Sequence, residues 1–169
     1  VAPDGDEELL PFDADDAASR RRLAVAARRG DAATLAAMLP TADHLEAVDA
    51  AEIPVLALAA TSGDVAAVGL LLERGADPRA PGRRGRGVIV NAAAAGHADI
   101  VSLLLAHGAV VFDDPSAPEP ALSAAVRAGE VDIVRILLER ARGSGIGVEA
   151  QGRALLQAVE VEAADVVRL

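Results

Sequence analysis

The chain has no cysteine, tryptophan, tyrosine or lysine, and only two phenylalanines and one methionine among 169 residues. Each gap removes a class of answer. Without cysteine there are neither disulfides nor thiolate zinc sites, and the composition fits a reducing compartment, so a cytoplasmic location is the expectation. With aromatics at 1%, an aromatic-lined catalytic cleft or a base-stacking surface has no material, yet 52% of the residues are hydrophobic. The core must therefore be Ala, Leu, Val and Ile, which suits closely packed helices better than sandwiches or barrels. No uninterrupted apolar run approaches the roughly 18 residues that a membrane span needs, so no membrane is expected. The N-terminus is acidic and lacks a basic-then-apolar leader. A net charge of −10 argues against nucleic acid as a partner. All sixteen basic residues are Arg, a bias that codon usage in a GC-rich genome would produce.

What the chain does have is self-similarity. From Gly96, steps of 33 residues meet Gly63 and Gly30 backwards and Gly129 forwards, with Glu162 next. Leu23, Leu56, Ile89, Leu122 and Leu155 keep the same phase, as do Ala26, Ala59, Ala92, Ala125 and Ala158. Leu35, Val68, Val101, Val134 and Val167 form a further column, and Asp31, Asp64, His97 and Glu130 follow the glycines. The best-preserved copy, residues 92–109, reads as a small-residue helix, a glycine turn, an aliphatic helix and a closing glycine. One such pair would leave a broad apolar face in water. Stacked copies bury it, each Leu or Val contributing roughly 1.5–3 kcal/mol. Gly30, Gly63, Gly96 and Gly129 are structural turn residues, placed where a helix must stop and reverse.

These residues resemble the ankyrin repeats. Gly96-His97-Ala98-Asp99-Ile100-Val101 through Leu103-Leu104-Leu105 to His107-Gly108-Ala109 carries the likeness. Gly63-Asp64 through Leu70-Leu71-Leu72 to Gly75-Ala76-Asp77, and Gly129-Glu130 through Leu137-Leu138, carry it again. The resemblance implies an all-α solenoid of helix–turn–helix units over residues 20–169, in repeats at about 20–52, 53–86, 87–119 and 120–152, with a partial fifth at 153–169. The family's Thr-Pro-Leu-His opening is absent: Arg21-Arg22-Leu23-Ala24, Pro54-Val55-Leu56-Ala57, Gly87-Val88-Ile89-Val90 and Pro120-Ala121-Leu122-Ser123 stand in its place. Helix starts should therefore lack its hydrogen bonds. The 34-residue tetratricopeptide repeat is excluded by the missing aromatic positions.

Outside the repeats, residues 1–19 hold Asp4, Asp6, Glu7, Glu8, Asp13, Asp15 and Asp16 and no basic residue, with Leu9, Leu10 and Phe12 as apolar anchors. They read as a flexible acidic arm or an N-terminal cap. The first repeat's helices are expected at 20–29 and 32–39, with a partly helical loop at 42–51. Residues 78–87 form a basic finger and 110–120 an acidic, proline-rich one. The uncapped Val166, Val167 and Leu169 lead to the expectation of further chain, or of a partner covering the C-terminal end.

No residue set reads as catalytic. His97 and His107 lie ten apart across a buried helix, too few and too divergent for a metal, so no cofactor and no metal are expected. Ser62, Ser102 and Ser123 lack a histidine neighbour, and 82–87 lacks the Lys and Ser/Thr of a phosphate loop. Asn91, the only Asn, stands where other repeats have Val25, Leu58, Ala124 and Gln157, and it needs hydrogen-bond partners if buried. The resemblance implies a protein partner, recognised by the finger tips and the pair before each glycine. On this chain the binding candidates are Arg28, Arg29, Thr61, Ser62, Arg83, Arg84, Arg86, Glu119, Arg127 and Glu160. Six of them are arginines, whose forks suit a partner with acidic groups, and the acidic arm is a candidate internal competitor for them. The alternative is an enzyme or small-molecule binder with a pocket near Asn91, using Glu119, Glu160 or His97 for proton transfer.

Overall fold

The computed structural model describes residues 13, 16–39, 53–80, 86–110 and 121–143. Among them the chain forms eight helices: α1 (Ala17–Arg29), α2 (Ala32–Met38), α3 (Val55–Ala60), α4 (Val65–Glu73), α5 (Val88–Ala94), α6 (Ala98–Ala106), α7 (Ala121–Ala128) and α8 (Val131–Gly143). There is no strand among the described residues; Pro54 and Gly87 are isolated bridge residues just ahead of α3 and α5. Each odd helix pairs with the even helix that follows it. The odd helices stack in the order α1, α3, α5, α7, and the even ones in the order α2, α4, α6, α8. This is an all-α solenoid, two helices deep, in which each unit touches only its neighbours.

Helices of six to nine residues are too short to persist alone in water, so stacking must supply what propensity cannot. The 33-residue columns are where it does so. Leu23, Leu56, Ile89 and Leu122 are all buried, and Ala26, Ala59, Ala92 and Ala125 beside them let the odd helices approach closely. The even helices add a ladder not singled out from the sequence: Met38, Leu71, Leu104 and Leu137 are each fully buried. Every residue of α3 is buried.

Three boundaries differ from the sequence expectation or bear on it. α1 starts at Ala17 rather than residue 20, because Asp16 caps it by accepting from Ala18 N and Ser19 N. The acidic arm thus ends at Asp16, and Arg21–Ala24 lies inside a helix instead of opening one. By contrast α3 and α5 begin at Pro54 and Gly87 with no side-chain cap, as the missing tetrads imply. The expected helical loop at 42–51, both finger tips and the fifth unit lie outside the described residues.

Candidate functional site: the turn row and its neighbours

The pair before each turn glycine lies at the end of an odd helix, where the stacking that buries the rest of that helix stops. Arg28 and Arg29 are exposed at the end of α1, Ala94 is exposed at the end of α5 with Ala95 after it, and Arg127 and Ala128 are exposed on α7. After α3, Thr61 is exposed and Ser62 half-buried. Their hydroxyls are committed to the turn: Thr61 Oγ1 donates to Leu58 O (2.8 Å) and Ser62 Oγ donates to Ala59 O (2.7 Å). Ser62 Oγ also accepts from Asp64 N. Arg86 is half-buried at the edge of the basic finger. Arg83, Arg84, Glu119 and Glu160 lie outside the described residues; among those described, the row runs from Arg28 and Arg29 through an uncharged, small-residue stretch to Arg127. Three steps of about 8–10 Å between stacked helices put roughly 24–30 Å between those ends.

Behind the row, the glycines prove tighter than a reversal alone demands. Three of them sit against the residue that follows the next repeat's glycine: Gly30 against Asp64, Gly63 against His97, Gly96 against Glu130. Asp64 also caps α4, accepting from Ala67 N at 2.7 Å. His97 is half-buried, with its Nε2 3.4 Å from Thr61 O. The cause is simple: stacking brings this column over the preceding glycine, where only a missing side chain leaves room. Asp31, first in the column, caps α2 through Thr34. The Thr34 hydroxyl, and then its N–H, hold the Asp31 carboxyl below its ordinary value of 3.8. Asp16 is lowered too, chiefly by the Ser19 and Ala18 N–H groups.

A second function for arginine was missed in the sequence. Arg74 donates to the carbonyls of Ala36 and Leu39 on the preceding repeat, and Arg140 donates to Leu105 O (3.1 Å). Arg79 reaches the other way, its Nε donating to Gly108 O (3.1 Å). These guanidinium groups bind carbonyls at or just beyond the C-terminal ends of α2 and α6, where the helix ladder runs out of donors; Leu105 O also accepts from Gly108 N. The signal was available: Arg74 and Arg140 share one column of the repeat, with His107 between them.

The chemical alternative gains little. Asn91 is half-buried and its Nδ2 has no hydrogen-bond partner among the described residues. Of the acids and bases suggested beside it, Glu119 and Glu160 lie outside those residues and His97 is packed on Gly63. No group of His, Cys, Asp or Glu among the described residues is arranged to hold a metal ion. Nor is any helix among them long and apolar enough to cross a membrane.

The family model for ankyrin repeats, in three copies, matches residues 56–151 and, overlapping, 89–169. The chain belongs to the ankyrin-repeat family. Among solved structures it is similar to the human ASB11 ankyrin repeat domain, at 27% identity and a TM-score of 0.64. That match covers 69% of this chain and 52% of the other, so the chain spans about half the length of the relative. No curated protein matched. Ankyrin repeats generally serve as protein–protein interaction modules. The family match begins at residue 56, so the first ankyrin repeat, α1 and α2, is evident from its place in the stack rather than from the family pattern.

Proposed function

We propose that this ankyrin domain is a non-catalytic binding module whose turn row and fingers hold a protein segment with acidic groups at both ends of an apolar middle. The observation that carries the reading is the composition of the row. Exposed Arg28 and Arg29 stand at one end and exposed Arg127 at the other, with Ala94 and Ala95 leaving a shallow, uncharged space between. An extended segment advances about 3.3 Å per residue, so eight or nine residues span the roughly 24–30 Å between the charged ends. Guanidinium forks favour carboxylates there, and small alanines admit bulkier apolar side chains. Arg83, Arg84 and Arg86 on the basic finger, with Thr61, Ser62, Glu119 and Glu160, complete the proposed contact set.

Peptides with acidic ends and a Leu-rich centre, titrated by calorimetry, test the reading. Arg28→Ala with Arg29→Ala, and separately Arg127→Ala, should each weaken binding about three- to ten-fold, because exposed ion pairs are worth little singly. Affinity should also fall steeply as salt rises. Equal affinity in wild type and all three substitutions would remove the acidic-partner reading.

A further inference from the structure

The first repeat has a side that the other described repeats do not. Along α1, Arg21, Arg22, Val25 and Arg29 line a groove of about 410 Å³, floored by Ala26 and the fully buried Met38. In the next repeats the column of Arg22 holds Val55, Val88 and Ala121, all buried, and the column of Val25 holds the buried Leu58 and Ala124. Here Arg22 is half-buried and Val25 is 37% exposed. Another repeat packed on this side would bury the Arg22 guanidinium among aliphatic side chains, at a cost of several kcal/mol. The groove therefore suits an occupant that brings both carboxylates and a few apolar side chains. Arg22 Nη2 donates to Ser19 Oγ (3.2 Å), but its Nε is buried and has no partner among the described residues.

We propose that the acidic segment of this same chain, residues 1–12, folds back along α1 and occupies that groove. Asp16 N donates to Asp13 O (3.3 Å), an i to i+3 hydrogen bond just ahead of α1 that is compatible with a reversal of the chain there. The lengths agree. In the proposed arrangement, an extended chain at about 3.3 Å per residue that starts beside Ala18 advances from position 12 to Leu10 and Leu9 in about 7–10 Å. Helical rise of about 1.5 Å per residue brings those same distances level with Arg22 and Val25. Glu8 and Glu7, about 13–17 Å along, then come level with Arg29. Apolar side chains thus meet the apolar floor, and carboxylates meet guanidinium groups. The segment caps the end of the solenoid, and at Arg29 it competes with any acidic partner of the turn row. The inference rests on the end groove and not on the partner reading above.

The absence of cysteine gives the test a clean background. The 169-residue chain carrying Leu9→Cys and Val25→Cys should form an intramolecular disulfide on mild oxidation, at least about ten-fold faster than one carrying Leu9→Cys and Ala95→Cys. Adding Arg21→Glu and Arg29→Glu, both at exposed positions, should slow the first cross-link about five-fold or more at low salt, as should about 0.5 M salt alone. Equal rates for the two pairs, a faster link to position 95, or a product that is mainly a cross-linked dimer would each overturn the proposal. So would a rate indifferent to charge reversal. An acidic peptide can fail to bind the turn row while the cross-link still forms, so the two readings fail separately.

Discussion

Gly63 carries two constraints on one residue. Its φ is +85°, and a methyl group added there would lie 2.9 Å from His97 Cε1 on the next repeat. Gly108 shares the left-handed backbone, at φ +93°, but its added methyl would meet nothing within 4 Å. Gly108→Ala should therefore cost only the backbone strain, about 1–2 kcal/mol, whereas Gly63→Ala should cost more because the imidazole must also move. Urea unfolding of the two variants measures the difference, and a matching loss would show that the His97 contact has no weight. The cap carboxylates make a pH prediction at the same scale. Asp16 and Asp31 both have folded pKa values below the ordinary 3.8, so they release protons more readily folded than unfolded. Their contribution is fully present above that ordinary value and is lost as pH falls through the lower folded values. Asp31→Asn should flatten the acid limb of the thermal midpoint below the ordinary 3.8 while changing its slope near neutrality little. An unaltered acid limb would remove the Thr34 cap as a source of the shift.

At the level of elements, short helices are joined end to side by arginine. Arg74 follows α4 yet binds the last carbonyls of α2, so a residue of the second repeat finishes a helix of the first. A lysine would keep the charge but not the planar fork that reaches two carbonyls together. Arg74→Lys should destabilise by about 1–2 kcal/mol and Arg74→Ala by somewhat more. Arg135→Ala, which removes only an exposed pair with Asp132, should change stability by less than about 0.5 kcal/mol. The comparison is made by denaturant midpoint. Equal effects from Arg74→Lys and Arg135→Ala would mean that the fork contributes no more than a surface charge. The all-arginine composition, read from the sequence as codon bias, thus has a structural use at positions 74, 79 and 140. Composition could not reveal it, because these bonds join residues 29 to 38 apart across a repeat boundary.

Across the whole molecule, legibility follows periodicity. Leu56, Ile89, Ala59 and Ala92 announced the stack because one physical demand recurs every 33 residues and selects the same residue type each time. The packing of His97 on Gly63 and the bond from the Ser62 hydroxyl to Ala59 O carry no such periodic mark, since they depend on an adjacent unit or on a hydroxyl with several choices of acceptor. The first helix starts three residues before the expected place because Asp16 caps it, whereas α3 and α5 open without a side-chain cap. That same periodicity makes the energetics nearly one-dimensional, with stability set by units and the interfaces between neighbours. Leu104 lies fully buried in α6, which packs against α4 on one side and α8 on the other, while Met38 in α2 has only α4 as its described even neighbour. Leu104→Ala should cost about 2–5 kcal/mol, and Met38→Ala should fall toward the lower end of that range. Hydrogen exchange should then rise in α4, α6 and α8 together in the Leu104 variant, with α2 less affected. For Met38→Ala the rise should concentrate in α1 and α2 and fade along the stack. A uniform rise over all eight helices in both variants would show instead that the solenoid opens as one cooperative body, and that the interfaces do not act as separable terms.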